Sequence, residues 1–300
     1  MGRVKKIAYT NSSVKYHKKR RRFEMKNRAG KDISLRGVKP TMETLYYPSY
    51  SYRNARKPTK TGLVIPKSTH QFDINADRKP GPRTSRGGMR QGSTVDRQLG
   101  QVANMIRTGY PDVSVSFFVD KSKRLPVTMS VSQRTKVYNF RRRLHPYTVN
   151  VLRCFKCRGW VPVHTQVCVG SLAHRVGTAI DVVCVYANPR RGSGFIVIEL
   201  KCGFDSYYYN DTGASMARPF GTMTDACVYQ HQLQLLTSTW LFEGCPSTIR
   251  SEAYVVRAHK NGVTFYTLPL TLRGPRVTKA LSKKLASTRS LPSGQRTYKS

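Results

Sequence analysis

The sequence predicts an α/β fold with one mixed central sheet flanked by helices, preceded by a basic N-terminal arm. Three observations carry this. Short apolar runs of strand length stand at 161–169, 179–186 and 195–201. Helical spacing of apolar residues stands on either side of them, at 95–107 and 225–242. The charge is unevenly spread: +15 over residues 1–60, +4 over 151–270 and +8 over 271–300, within a total of +38. All seven cysteines and both tryptophans fall in the near-neutral block, which marks it as the packed part.

Taken in order, the expected domains are a basic, largely irregular arm over 1–90, a core over 91–272 and a basic tail over 273–300. In the arm, the run Lys18, Lys19, Arg20, Arg21, Arg22 and recurrent Pro, Gly and Ser leave little apolar surface to offset ordering entropy. Removing residues 1–60 is therefore expected to weaken polyanion binding and leave any chemistry intact. Ser93 or Thr94 is placed to cap a helix through Val95–Arg107, with Leu99, Val102, Ala103 and Ile106 on one face. Residues 132–153 are ambiguous: helical spacing of Val137, Phe140 and Leu144 is broken by Pro146.

Val161, Val163, Thr165, Val167 and Val169 alternate and predict a strand. AIDVVCVY at 179–186 and FIVIELK at 195–201 predict two more, joined by a turn-rich segment at 188–194 as an antiparallel hairpin. A helix over 225–242 follows, then a closing hairpin of 253–258 and 263–268. The last segment, from Arg273, reads as a short basic helix and a Ser/Gly-containing tail.

Two acids inside apolar strands are the most informative feature: Asp181 and Glu199. A buried charge needs a partner or a metal. Strand alternation puts Glu199 and Lys201 on one face, and the loop register sets Asp181 across from residue 199, 200 or 201. Two carboxylates and an ammonium sharing a patch suit a divalent cation with hard oxygen donors. A buried Asp–Lys–Glu ion-pair set is the other reading of the same residues.

With a Tyr229-Gln230-His231-Gln232-Leu233-Gln234 stretch on the following helix, the order of motifs resembles the PD-(D/E)xK nuclease superfamily, in its lambda-exonuclease and viral alkaline-nuclease branch. The resemblance covers roughly 160–245, and Ile180 stands where the family's proline would. It implies a restriction-endonuclease-like core and a Mg²⁺-dependent deoxyribonuclease, Mn²⁺ substituting, with exonuclease action on duplex ends favoured. It implies metal ligation by Asp181 and Glu199, activation of the attacking water by Lys201, and a hydrogen-bonding role for Gln232. Relatives also carry an acid or His on an early helix; His174 is a candidate only by its nearness to Asp181 in sequence.

An excess of 38 positive charges points to nucleic acid as partner, DNA first and RNA second. Lys18, Lys19, Arg20, Arg21, Arg22, Arg190, Arg191 and Tyr229 are the expected contacts, the basic residues through phosphate. No apolar run reaches transmembrane length, so no membrane partner is expected. The charged N-terminus and odd cysteine count lead to the expectation of an intracellular protein, in a host-cell nucleus and of viral type. Cys154 and Cys157, with His164, Cys168 and His174 after them, are weighed as a zinc set against ordinary core cysteines. The alternative function is a non-catalytic DNA-binding or packaging protein on a nuclease-derived scaffold.

Overall fold

The computed structural model describes residues 14–17, 22–46, 70–73, 85–108, 113–187, 194–202, 211–216, 218, 220, 223–259 and 262–287. The Lys18–Arg21 run, Arg190 and Arg191 lie outside these residues.

The chain is α/β, as expected. The elements are β1 (Val14–His17), β2 (Arg22–Lys26), β3 (Asp32–Gly37), α1 (Val38–Tyr46), β4 (His70–Asp73), α2 (Ser85–Thr108), α3 (Val115–Val119), α4 (Val131–Arg142) and α5 (Pro146–Arg158). They continue with β5 (Trp160–Ser171), β6 (Val176–Tyr186), β7 (Phe195–Cys202), β8 (Asp211–Ser215), β9 (Thr224–Ala226), α6 (Cys227–Phe242), β10 (Glu252–His259), β11 (Gly262–Thr267) and α7 (Pro275–Ser287). The main sheet runs β1-β2-β3-β6-β7-β10-β11-β4, with β5 also on β6. The meander β5–β6–β7 is antiparallel, and α6 then carries the chain across to β10, which lies parallel to β7.

Alternation along β7 divides the interior in two. Val197 packs with α1, α6 and α7 on one side; Ile196, Ile198 and Leu200 pack with α2 to α5 on the other. The sheet is thus buried on both faces, which explains why 179–186 reads as apolar on both.

The irregular arm expected over 1–90 is corrected wherever this segment is described. β1, β2 and β3 extend the sheet, and Leu35, Val38, Met42 and Tyr46 are 2%, 1%, 0% and 0% exposed. These few apolar residues suffice because they dock on a core already present. Their seat is prepared by glycines: a Cβ on Gly170 would lie 2.7 Å from Leu35 Cδ1, and one on Gly177 would lie 3.0 Å from Phe23 Cβ. Gly170 and Gly177 face each other across β5 and β6.

Helix α2 begins at Ser85, ten residues before the expected start, despite Gly87, Gly88 and Gly92. The ambiguous stretch resolves into two helices. Ser130 and Gln133 form a reciprocal capping box that opens α4. Pro146 is the first helical residue of α5, where its missing N–H costs nothing, and Gly159 ends that helix with φ of 69°.

Candidate functional site

The site forms where β6 and β7 part. Their ladder ends at Val182↔Ile198, so Asp181 stands across from Glu199, one residue beyond the last pair. On the other side of β6, the pairs Val167↔Ile180 and Thr165↔Val182 flank an unpaired Gln166 with φ of 52°. This local break turns the strand. Ile180 packs on the α6 side and Val182 on the α2 side, although strict alternation would put them together. Asp181 sits at the turn. Its Oδ2 accepts the Leu200 backbone N–H at 2.8 Å, and its Oδ1 accepts from Gln166 Nε2 at 3.4 Å.

Glu199 is 3% exposed. Its Oε1 accepts from Gln234 Nε2 of α6 at 2.8 Å and pairs with Lys201 Nζ. Lys201 keeps 16% of its side chain exposed while its ammonium is tied to the carboxylate. Burial first, then the negative charge of Glu199, holds the Asp181 carboxyl well above the ordinary carboxylate range, with Lys201 opposing. Asp181, Glu199 and Lys201 are therefore one electrostatic unit, as expected from the strand pattern.

A third acid joins it. Asp96 of α2 has its carboxyl pushed up to about 6 by burial and by Glu199, against Lys201. Sequence reasoning found no early-helix acid, although Asp96 continues the apolar stripe of Leu99, Ala103 and Ile106 by helical spacing. Glycine lets α2 approach closely here: a Cβ on Gly100 would lie 3.0 Å from Thr165 Oγ1. Cys202, on the same side of β7, has its thiol pushed up to about 12 by burial and then by Asp96 and Asp181.

Gln232 is a correction. Its Nε2 donates to the Thr267 carbonyl at 3.2 Å, and the amide that meets Glu199 belongs to Gln234. Two residues on a helix are about 200° apart, so both cannot face one strand. His231 stands one turn before Gln234; burial first, then the positive charges of Lys201 and Lys39, hold its imidazole well below the ordinary range. His174 is also corrected. Its ring bonds Ser171 Oγ and Ser282 Oγ, each at 2.9 Å, and stands edge-on to Trp240, pinning α7 to the β5–β6 turn. Tyr229 packs half-buried against the α6-side core. Arg22 Nε donates to Glu24 Oε1 at 2.7 Å within β2.

Among the described residues no three His, Cys, Asp or Glu side chains converge to cage a metal ion by themselves. Cys154 is buried and Cys157 exposed on α5. No described helix is long and apolar enough to cross a membrane. No family model matches the chain, and no curated protein matches it.

Proposed function

We propose that this chain is a metal-dependent nuclease that hydrolyses DNA phosphodiester bonds, duplex ends being its favoured substrate. The observation that carries the reading is the convergence of Asp181, Glu199 and Lys201 at the parting of β6 and β7. The order around it, a β-meander, a crossing helix and a strand parallel to β7, supports this reading, because a restriction-endonuclease-like core would carry its site on such a meander.

The residues fit Mg²⁺ or Mn²⁺. Such an ion takes one or two carboxylates and completes its shell with water and substrate phosphate, so a dedicated cage of three acids is not needed. Asp181 and Glu199 repel one another across a gap in the sheet, and both offer hard oxygen donors. When bound, the cation supplies neutralisation of charge developing on the phosphate and a lowered pKa for its water.

The protein's own groups do the positioning. The Leu200 N–H fixes one Asp181 oxygen, leaving the other turned toward Gln166. Gln234 fixes the Glu199 carboxylate from α6. Lys201, tethered to Glu199 and partly open to solvent, orients the attacking water and offsets charge on the phosphate. Asp96 adds a further carboxyl from α2, coupled to Lys201 and Glu199.

The test is incubation of end-labelled duplex, nicked circle and single strand, with and without Mg²⁺. Cleavage is expected only with the metal, and it disappears in Asp181→Ala and in Lys201→Ala while DNA binding survives. Cleavage that persists in both variants, or in excess chelator, refutes the assignment. Tight binding with no cleavage under any of these conditions supports the packaging alternative instead.

A further inference from the structure

The α2-to-α5 layer carries a charge imbalance that the proposed site does not use. Between residues 113 and 158 there are eleven Lys and Arg and one acid, Asp120. Asp120 is already engaged: its Oδ1 accepts from the Ser122 hydroxyl at 2.7 Å, and Lys156 stands 4.0 Å from its other oxygen. Lys121, Lys123, Arg124, Lys136 and Arg142 are exposed.

Helix electrostatics accounts for only part of this. Arg141 and Arg142 lie in the last turn of α4, where cations offset the helix dipole. Arg141 is also structural, its guanidinium 4.7 Å over the Phe117 ring and donating to the Lys123 carbonyl at 3.3 Å. Neither argument reaches Lys121, Lys123, Arg124 or Lys136. Beside these cations, Val127 and Val131 are 85% and 71% exposed, apolar surface that a nucleic-acid groove covers and water does not favour.

The layer is firmly tied to the site. Gln98 of α2, two residues from Asp96, is 7% exposed. Its Nε2 donates to the Arg143 carbonyl at 2.9 Å, and its Oε1 accepts from the His145 N–H at 2.8 Å and the Thr148 hydroxyl at 2.7 Å. The α4–α5 junction is thus locked to the helix that carries Asp96.

We propose that the exposed cations of the α3–α4 connection and α4 form the surface that grips the sugar-phosphate backbone of duplex DNA, independently of base sequence. The surface identifies where the substrate of the proposed nuclease lies, and it is tested without catalysis, so either reading can fail alone.

The experiment measures binding of the full chain to a labelled duplex in chelator across a salt series. In the test variant Lys121, Lys123, Arg124 and Lys136 are each changed to Gln. In the control, Arg276, Lys279, Lys283 and Lys284 of α7 are changed to Gln; α7 packs on the opposite side of the sheet, and the same four charges are lost. Each lost phosphate contact lowers the slope of log K against log salt by about 0.9. The test variant is expected to lose about 3 to 4 from the slope and the control less than 1. Equal losses in both would show a general effect of net charge and overturn the proposal, as would an unchanged slope in the test variant. Matching melting temperatures verify that both variants are folded.

Discussion

Gln234 and Gln232 are two residues apart, yet only one meets Glu199. A partner that orients a metal-binding carboxylate is commonly worth 10–100-fold in activity or metal affinity. Gln234→Ala is therefore expected to cut cleavage by about 10–100-fold. Gln232→Ala is expected to leave cleavage within about threefold and to cost about 1 kcal/mol of stability, read by urea unfolding. The reverse ranking in cleavage would remove Gln234 from the site. Asp96 makes a pH prediction. Its carboxyl titrates at about 6 in the fold against an ordinary 3.8, so between these values the folded chain holds the proton and the unfolded chain does not. The stability this proton contributes is complete below about pH 4 and is lost as pH rises through about 6. The groups acting on Asp96 are Lys201, Glu199 and, through their shared cluster, Asp181. Thermal melts in chelator should show Asp96→Asn more stable than the parent chain at pH 7 and no more stable at pH 4. A variant less stable at pH 7 contradicts this.

At the scale of elements, the site depends on how closely neighbours approach. The break in β6 opposite Gln166 lets one carboxylate leave the alternation of its strand and take a main-chain N–H from the next. The β5–β6 hairpin beneath it is narrowed by Gly170 and Gly177 so that β2 and β3 can close over it. Adding a methyl group at Gly170 meets both Leu35 Cδ1 at 2.7 Å and the Val176 carbonyl at 3.0 Å, and the second is backbone that cannot swing aside. Gly170→Ala is expected to cost about 1–3 kcal/mol, the usual range for overpacking. An unchanged urea midpoint would show that β3 sits less tightly than this.

For the whole molecule, β1, β2 and β3 are part of the sheet and α1 packs on it, so the described residues before 47 are not an appendage. Deleting 1–60 removes β1, β2, β3 and α1, and with them Leu35, Val38, Met42 and Tyr46 from a fully buried position. Several core side chains lost together exceed the stability of an ordinary domain. The truncated chain is expected to lose its cooperative thermal transition, followed by circular dichroism. A truncated chain that melts as the full one does would restore the independent-arm reading. Surface substitutions therefore serve better than truncation for mapping the charge of +38.

Local pattern by itself determined the strands β5, β6 and β7, the β6–β7 hairpin, α6, the β10–β11 hairpin and the shared face of Glu199 and Lys201. Period-2 and period-3.6 spacing and the buried-charge rule need no knowledge of distant neighbours. It also placed Asp181 opposite 199, 200 or 201, and the loop register chose 199. Only the tertiary structure decided that β1 to β3 belong to the sheet, because their apolar residues are too few to announce a core and become buried on one built elsewhere. Only it brought Asp96 to the site, since the charge coupling of Asp96 to Glu199 depends on how α2 lies across β5 and β7. The choice of Gln234 over Gln232 was decided the same way: a helix repeats every 3.6 residues, and its rotation about its own axis is set by the surface it packs on.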